Sequence, residues 1–345
     1  MSLFVKIEKM LNNFRLRVDF ETSGGLLALL GASGSGKSLT LRCIAGLLTP
    51  DRGRIVLNGR VLYDSAAGID LPPQERRVGY LFQSCALIPH MTVLENVALG
   101  YHEKPKGQRK TLALAQLRRF RLEALADARP ATLSGGERQR TALARTLAAE
   151  PEALLLDEPF SALDDYLKWE LELELARTLE GYGGDAVLVS HSRDEVCRLA
   201  KTVCVLSRGG SEPVQPVSEL MMAPGTVSAA LISGCKNLSP VRVQPDGSLF
   251  CEAWGWTLPA CPVPDGLTHV GIRAHSLVLA PGPISLPCRV DRVIDNVFSY
   301  ILMVQTPGPG QLRIEFDKVH PAPPVGAEVT VHVPAEEILL LTIDR

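Results

Sequence analysis

The chain has 345 residues, 46% of them hydrophobic and 21% charged, and a net charge of −2. That length exceeds a usual single domain and points to two, while the charge balance gives no ground for nucleic-acid binding. No apolar run approaches the ~20 residues needed to cross a bilayer, and residues 1–10 carry Lys6, Glu8 and Lys9 with no signal-peptide core, so a cytosolic protein is expected, reaching any membrane through a partner.

Taken in order, residues 3–30 alternate apolar positions (Val5, Ile7, then Phe14, Leu16, Val18, Phe20), which predicts short strands. Phe14 or Phe20 is available to stack on a base, and each equally suits the core face of a strand. The apolar run 25–30 then meets Gly31, Ala32, Ser33, Gly34, Ser35, Gly36, Lys37 and Ser38, a G-x-x-x-x-G-K-[ST] phosphate loop. Leu39, Leu41, Ile44, Leu47 and Leu48 follow at helical spacing, with Leu39 still in the nucleotide-contacting run. The glycines permit positive φ and let backbone N–H groups face phosphate oxygens, and the helix adds its positive end. Lys37 is placed for the β/γ-phosphates of a nucleotide and Ser38 for Mg²⁺.

Residues 54–59 and 78–82 read as strands, the first closing on the hairpin signal Asn58-Gly59; Gln83 ends the second. Residues 84–130 carry Leu112, Leu117, Leu122 and Leu125 in helical stripes around a basic connection at 104–110, a helical insertion into an α/β domain. Leu133, Ser134, Gly135, Gly136 and Glu137 form the second informative stretch. Ser134 and Glu137 have capping-box spacing, yet two glycines in a first turn cost about 1 kcal/mol each. Unobstructed N–H groups and a hydroxyl make a second phosphate-facing surface. Residues 153–157 form an apolar strand delivering Asp157 and Glu158 at its carboxyl end, Asp157 for Mg²⁺ and Glu158 to polarise water. Ser161, Ala162, Leu163 and Asp164 lead into a helix over 166–179, on the line Leu167, Leu171, Leu175, Leu179. A strand at 186–190 ends at His191, and residues 192–195 read as a further capping box. The eight cysteines, none in a C-x-x-C pair, read as small buried hydrophobes.

The P-loop, Gln83, the LSGGE stretch, the acid pair, the Asp164 turn and His191, in this order, resemble the ATP-binding subunit of ABC transporters over about residues 1–235. The resemblance implies a P-loop NTPase fold and a head-to-tail homodimer. Each ATP would lie between one copy's P-loop and the other's Ser134–Glu137 signature. It further implies that Glu158 activates water, His191 contacts the γ-phosphate and Gln83 links Mg²⁺ to the membrane-facing insertion. Ser192 stands where the family often has Asp. Residues 71–79 and 190–195 look like the molybdate and sulfate importer branch, whose iron, polyamine and sugar relatives share much of the pattern. The implied partners are integral membrane permease subunits and, indirectly, an extracytoplasmic substrate-binding protein, with the chain peripheral at the cytoplasmic face. A soluble ABC protein acting on DNA or the ribosome usually has two cassettes or long coiled coils, and a binding module with a dead site would lack one of the catalytic residues present here.

From about Gly234 the chain shifts toward Pro, Gly and Val, with short alternating segments at 249–256, 270–272, 288–294, 299–305, 312–316 and 329–333. This predicts a small all-β, barrel-like domain, resembling the OB-like (TOBE/MOP-type) regulatory domain of importer ATPases. The expected division is 1–233 for the ATP-binding domain, with its helical part at about 84–150, and 234–345 for the β domain. Arg273, His275 and Arg292 are available donors should that domain bind oxyanion.

Overall fold

A computed structural model describes residues 2–343 except Ser23, Ala162 and Asp164. It divides into two compact units, Met1–Val217 and Ser218–Arg345.

The first unit is built on β1 (Leu3–Leu11), β2 (Phe14–Glu21), β3 (Gly25–Leu30), α1 (Lys37–Ala45), β4 (Arg52–Leu57), β5 (Arg60–Asp64), β6 (Ile69–Asp70), β7 (Val78–Leu81), α2 (Val93–Gly100), α3 (Lys106–Arg119), α4 (Gly135–Ala148), β8 (Ala153–Asp157), α5 (Asp165–Glu180), β9 (Asp185–Ser190), α6 (Arg193–Leu199), β10 (Thr202–Ser207), β11 (Gly210–Ser211) and β12 (Gln215–Pro216). Its sheet runs β6-β5-β4-β1-β2-β11-β10-β3-β9-β8-β7, with β12 on β10. Two textures meet in it. β1 and β2 are antiparallel and alternate buried with exposed residues, whereas β8 and β9 are buried at every position, as parallel strands covered on both faces must be.

Register decides where the chemistry sits. β10, β3, β9, β8 and β7 are parallel neighbours. Leu30 pairs with Ser190, Asp157 with Val189 and Leu81 with Leu156. The carboxyl ends of four strands therefore finish at one edge, and the segments beginning at Gly31, Gln83, Glu158 and His191 leave from it together. This is where open parallel sheets bind ligands.

The hairpin at Asn58-Gly59 forms with both residues at positive φ (52° and 80°), as a two-residue turn between right-twisted strands requires. The stretch 104–110 is not a simple connection: α3 already begins at Lys106, after Pro105, whose fixed φ suits a helix start. In α5, Leu171 and Leu175 are buried, so the i, i+4 line faces inward.

The second unit contains α7 (Val217–Met222, beginning at the division), α8 (Val227–Ile232), β13 (Asn237–Val243), β14 (Leu249–Cys251), β15 (Trp256–Leu258), β16 (Leu267–Ile272), β17 (Ser285–Asp295), β18 (Ser299–Gln305), β19 (Gln311–Asp317), β20 (Glu328–His332) and β21 (Ile338–Thr342). Two sheets, β15-β14-β13-β16-β21 and β19-β18-β17-β20, enclose one core that includes Trp254, Trp256, Val270, Leu302 and Ile314. Segment 249–256 is a hairpin rather than one strand, and β13 carries Pro240, a residue that argues against a central strand in sequence.

Cys43, Cys204, Cys235, Cys251 and Cys288 are buried, and burial pushes the Cys43, Cys204 and Cys251 thiols up to about 12. Cys85 is partly buried, and Cys197 and Cys261 are exposed, contrary to a uniform reading of the cysteines as core residues.

Candidate functional site

After β3 the backbone turns through Gly34 (φ 79°) and Gly36 (φ 105°), and Gly36 caps α1 in the left-handed region, a conformation glycine adopts without penalty. Lys37 folds back into the loop, and its buried ammonium donates to Gly31 O at 2.7 Å and Ala32 O at 3.0 Å. Burial lowers its pKa, partly offset by the Glu158 and Asp157 carboxylates. Ser35 Oγ is buried with no protein partner, a hydroxyl that a phosphate oxygen would satisfy.

Ser38 Oγ donates to Asp157 Oδ1 at 2.7 Å, across 119 residues of chain. Tyr80 OH, from β7, donates to Asp157 Oδ2 at 2.8 Å and fixes the carboxylate from its other side. Burial first, and this carboxylate second, raise the Tyr80 pKa. A hydroxyl beside a carboxylate is an oxygen donor pair of the kind Mg²⁺ takes when phosphates supply the rest.

Glu158 stands at φ 48°, a region side chains rarely adopt, with its N–H donating to Val189 O at 3.1 Å. Gln83 Nε2 donates to its Oε2 at 3.2 Å, and His191 Nδ1 lies 3.6 Å from the same oxygen. Leu11, Phe14, Ser33 to Leu39, Gln83 and Glu158 line a cleft of about 460 Å³. Phe14 is thus on its wall, while Phe20 is core, 4% exposed.

Ser134 lies outside that lining. It caps α4 through a complete box: its N–H and Oγ donate to Glu137 Oε2 at 2.7 and 2.8 Å, and Glu137 N–H donates to its Oγ at 3.3 Å. The Ser134 N–H and hydroxyl bonds to its Oε2 hold the Glu137 carboxyl below the usual range. Leu133 and Gly136 are buried, and Ser134 is exposed at the helix start. Ser161 Oγ donates to Glu158 O at 3.1 Å; Leu163 follows, and Ala162 and Asp164 lie outside the described residues.

Several supporting residues had no local sequence signal. Arg145 donates to Cys85 O and Ala86 O, and buried Asn96 bonds Ile88, Met91 and Thr92, so the segment after Gln83 is pinned to α4 and α2. In the second unit, Arg273 is not available to an anion. Its guanidinium donates to Ser233 O at 2.9 Å and to Met221 O, because backbone carbonyls there need partners. His275 and Arg292 are exposed, and neither lines the groove formed by Arg289, Gln305, Thr306, Glu328 and Thr330.

A P-loop at one strand end, beside an acid pair at another, is a nucleoside-triphosphatase site. Residues 13–161 match the ABC transporter family model. The chain is 36% identical to a molybdenum import ATP-binding protein of Rhodospirillum rubrum over 90% of its length and 85% of that protein's. It is 37% identical to one from Mycobacterium tuberculosis (93% and 88%), and 40% identical to a sulfate/thiosulfate import ATP-binding protein of Caulobacter vibrioides (76% and 77%). A dimeric post-hydrolysis structure of an ATP-binding cassette bound to ADP and Pi superposes with TM-score 0.54 at 28% identity, covering 63% of this chain and 99% of that one. The chain belongs to the ABC transporter ATP-binding family and is an ATPase.

Proposed function

We propose that this chain is the ATP-hydrolysing subunit of an importer for an oxyanion, molybdate first, with sulfate and tungstate next. The observation that carries it is the single edge at which Lys37, Ser38, Gln83, Asp157, Glu158 and His191 meet, while Ser134 is not among the residues that line the cleft there. One copy holds a half-site of each kind, so two copies related head to tail would make two whole ones. ATP would lie on the P-loop, its phosphates taking Lys37 from the Gly31 and Ala32 carbonyls and occupying Ser35 Oγ. Ser38 and Asp157 would hold Mg²⁺, with Gln83 completing the set; the ion would neutralise charge on the β/γ-phosphates.

Glu158 Oε2, already gripped by Gln83, is the base for water. The water oxygen bonds the γ-phosphorus as the bond to ADP breaks, its proton passing to the carboxylate. His191 steadies the γ-phosphoryl group, and Ser134 of the second copy closes on it. Membrane permeases would convert closure and reopening into transport, with the chain at the cytoplasmic face; among the described residues no helix is long and apolar enough to cross a membrane. The molybdenum and sulfate names of the similar proteins support the cargo. The test is ATPase stimulation of the reconstituted transporter by binding proteins loaded with molybdate, tungstate, sulfate, iron or polyamine. Molybdate is expected to stimulate most; stimulation by iron or polyamine alone would refute the oxyanion assignment.

A further inference from the structure

The loop carrying His191 is held from behind by a buried carboxylate. Reciprocal capping between Ser192 and Glu195 forms only in half. Ser192 Oγ accepts from Glu195 N–H at 3.4 Å, but the Glu195 side chain turns inward and is nearly fully buried. Its Oε2 accepts from Ser190 Oγ at 2.6 Å, and its Oε1 pairs with Lys168 Nζ of α5 at 2.5 Å. Ser190 Oγ in turn accepts the Ser192 N–H at 2.9 Å, the bond a capping glutamate would have made. Both neighbours of His191 are thereby fixed through one carboxylate.

α5 is itself secured to α6. Arg198 donates twice to the buried Glu172, at 2.5 and 3.0 Å, and its guanidinium lies 5.4 Å from the centre of the Trp169 ring. The residue before Ser190, Val189, accepts the Glu158 N–H. A carboxylate so deeply buried is costly to desolvate, and a helix cap does not need burial. What burial adds is a defined geometry for the loop.

We infer that Glu195, acting through Ser190 and anchored by Lys168, is a positioning residue that sets where His191 stands relative to Glu158. The inference rests on the proposed ATPase mechanism, and its test separates the two. Steady-state hydrolysis of Mg²⁺-ATP by the full chain is measured for wild type, Glu158→Gln, His191→Ala, Glu195→Ala, Ser190→Ala, Ser190→Thr and the double variant Glu195→Ala/His191→Ala. A misplaced reacting group costs on the order of 10²-fold. Glu195→Ala and Ser190→Ala should lower kcat by about that factor or somewhat less, with KM for ATP little changed. Ser190→Thr, which keeps the hydroxyl, should restore it, and Glu195→Ala should cost nothing further once His191 is alanine. Wild-type kcat in both Glu195→Ala and Ser190→Ala, or losses that multiply in the double variant, would overturn the inference while leaving the mechanism intact. Should Glu195→Ala not fold, the Ser190 pair decides. Full turnover in Glu158→Gln would instead overturn the mechanism on which the inference stands.

Discussion

Glu158 combines two properties that can be separated by substitution. Its carboxylate faces Gln83 and His191, and its backbone sits at φ 48°. Glu158→Gln keeps shape and removes the base, so hydrolysis should fall by about 10²-fold or more with ATP binding retained; a filter-binding assay beside the rate measurement checks both. Glu158→Gly should be more stable to urea than Glu158→Ala by about 1 kcal/mol, because only glycine escapes the left-handed penalty. Glu137 offers a pH test. Its folded pKa is depressed by the Ser134 bonds, so the capping contribution is present above the ordinary glutamate pKa and is lost as pH falls through the lowered one. An NMR titration should place its midpoint below that of an unperturbed glutamate, and Ser134→Ala should raise it.

At the scale of elements, the P-loop helix is held at both ends. Gly36 begins it, and a guanidinium finishes it: Arg76, fully buried, donates to Cys43 O at 2.8 Å, Ile44 O at 2.9 Å and Leu71 O at 2.7 Å, and pairs with Asp70 at 2.7 Å. A cation at a helix C-terminus is favourable by charge as well as by bonding. Arg76→Met would take the donor from Ile44 O and Leu71 O at about 1–3 kcal/mol each, while Cys43 O keeps the Gly46 N–H at 3.2 Å, so a loss of about 3 kcal/mol or more in urea unfolding is expected. None of this was legible in the run Glu75-Arg76-Arg77, where one arginine is core and the next is exposed. Local pattern gives the element, not the partner. The same limit explains Glu195, which has capping-box spacing yet spends its carboxylate on Ser190 and Lys168. By contrast, the Ser134 box and the Asn58-Gly59 turn depend on residues within four positions, and both were readable.

For the whole molecule, motifs named the chemistry, but the order β3-β9-β8-β7 made neighbours of it. Ser38 and Asp157 are 119 residues apart and hydrogen-bonded; no periodicity encodes that adjacency. Sequence also told that Gly135 and Gly136 are poor residues for a purely structural helix start, and the structure leaves Ser134 outside the cleft that Lys37 and Glu158 share. On the proposed mechanism a second copy therefore completes each reaction centre. A crystal structure of Glu158→Gln with Mg²⁺ and ATP tests it most directly. Two copies are expected facing each other, with each Ser134 hydroxyl about 3 Å from a γ-phosphate oxygen held by the other copy's Lys37. ATP seated on the P-loop with its γ-phosphate far from any second Ser134 would contradict it.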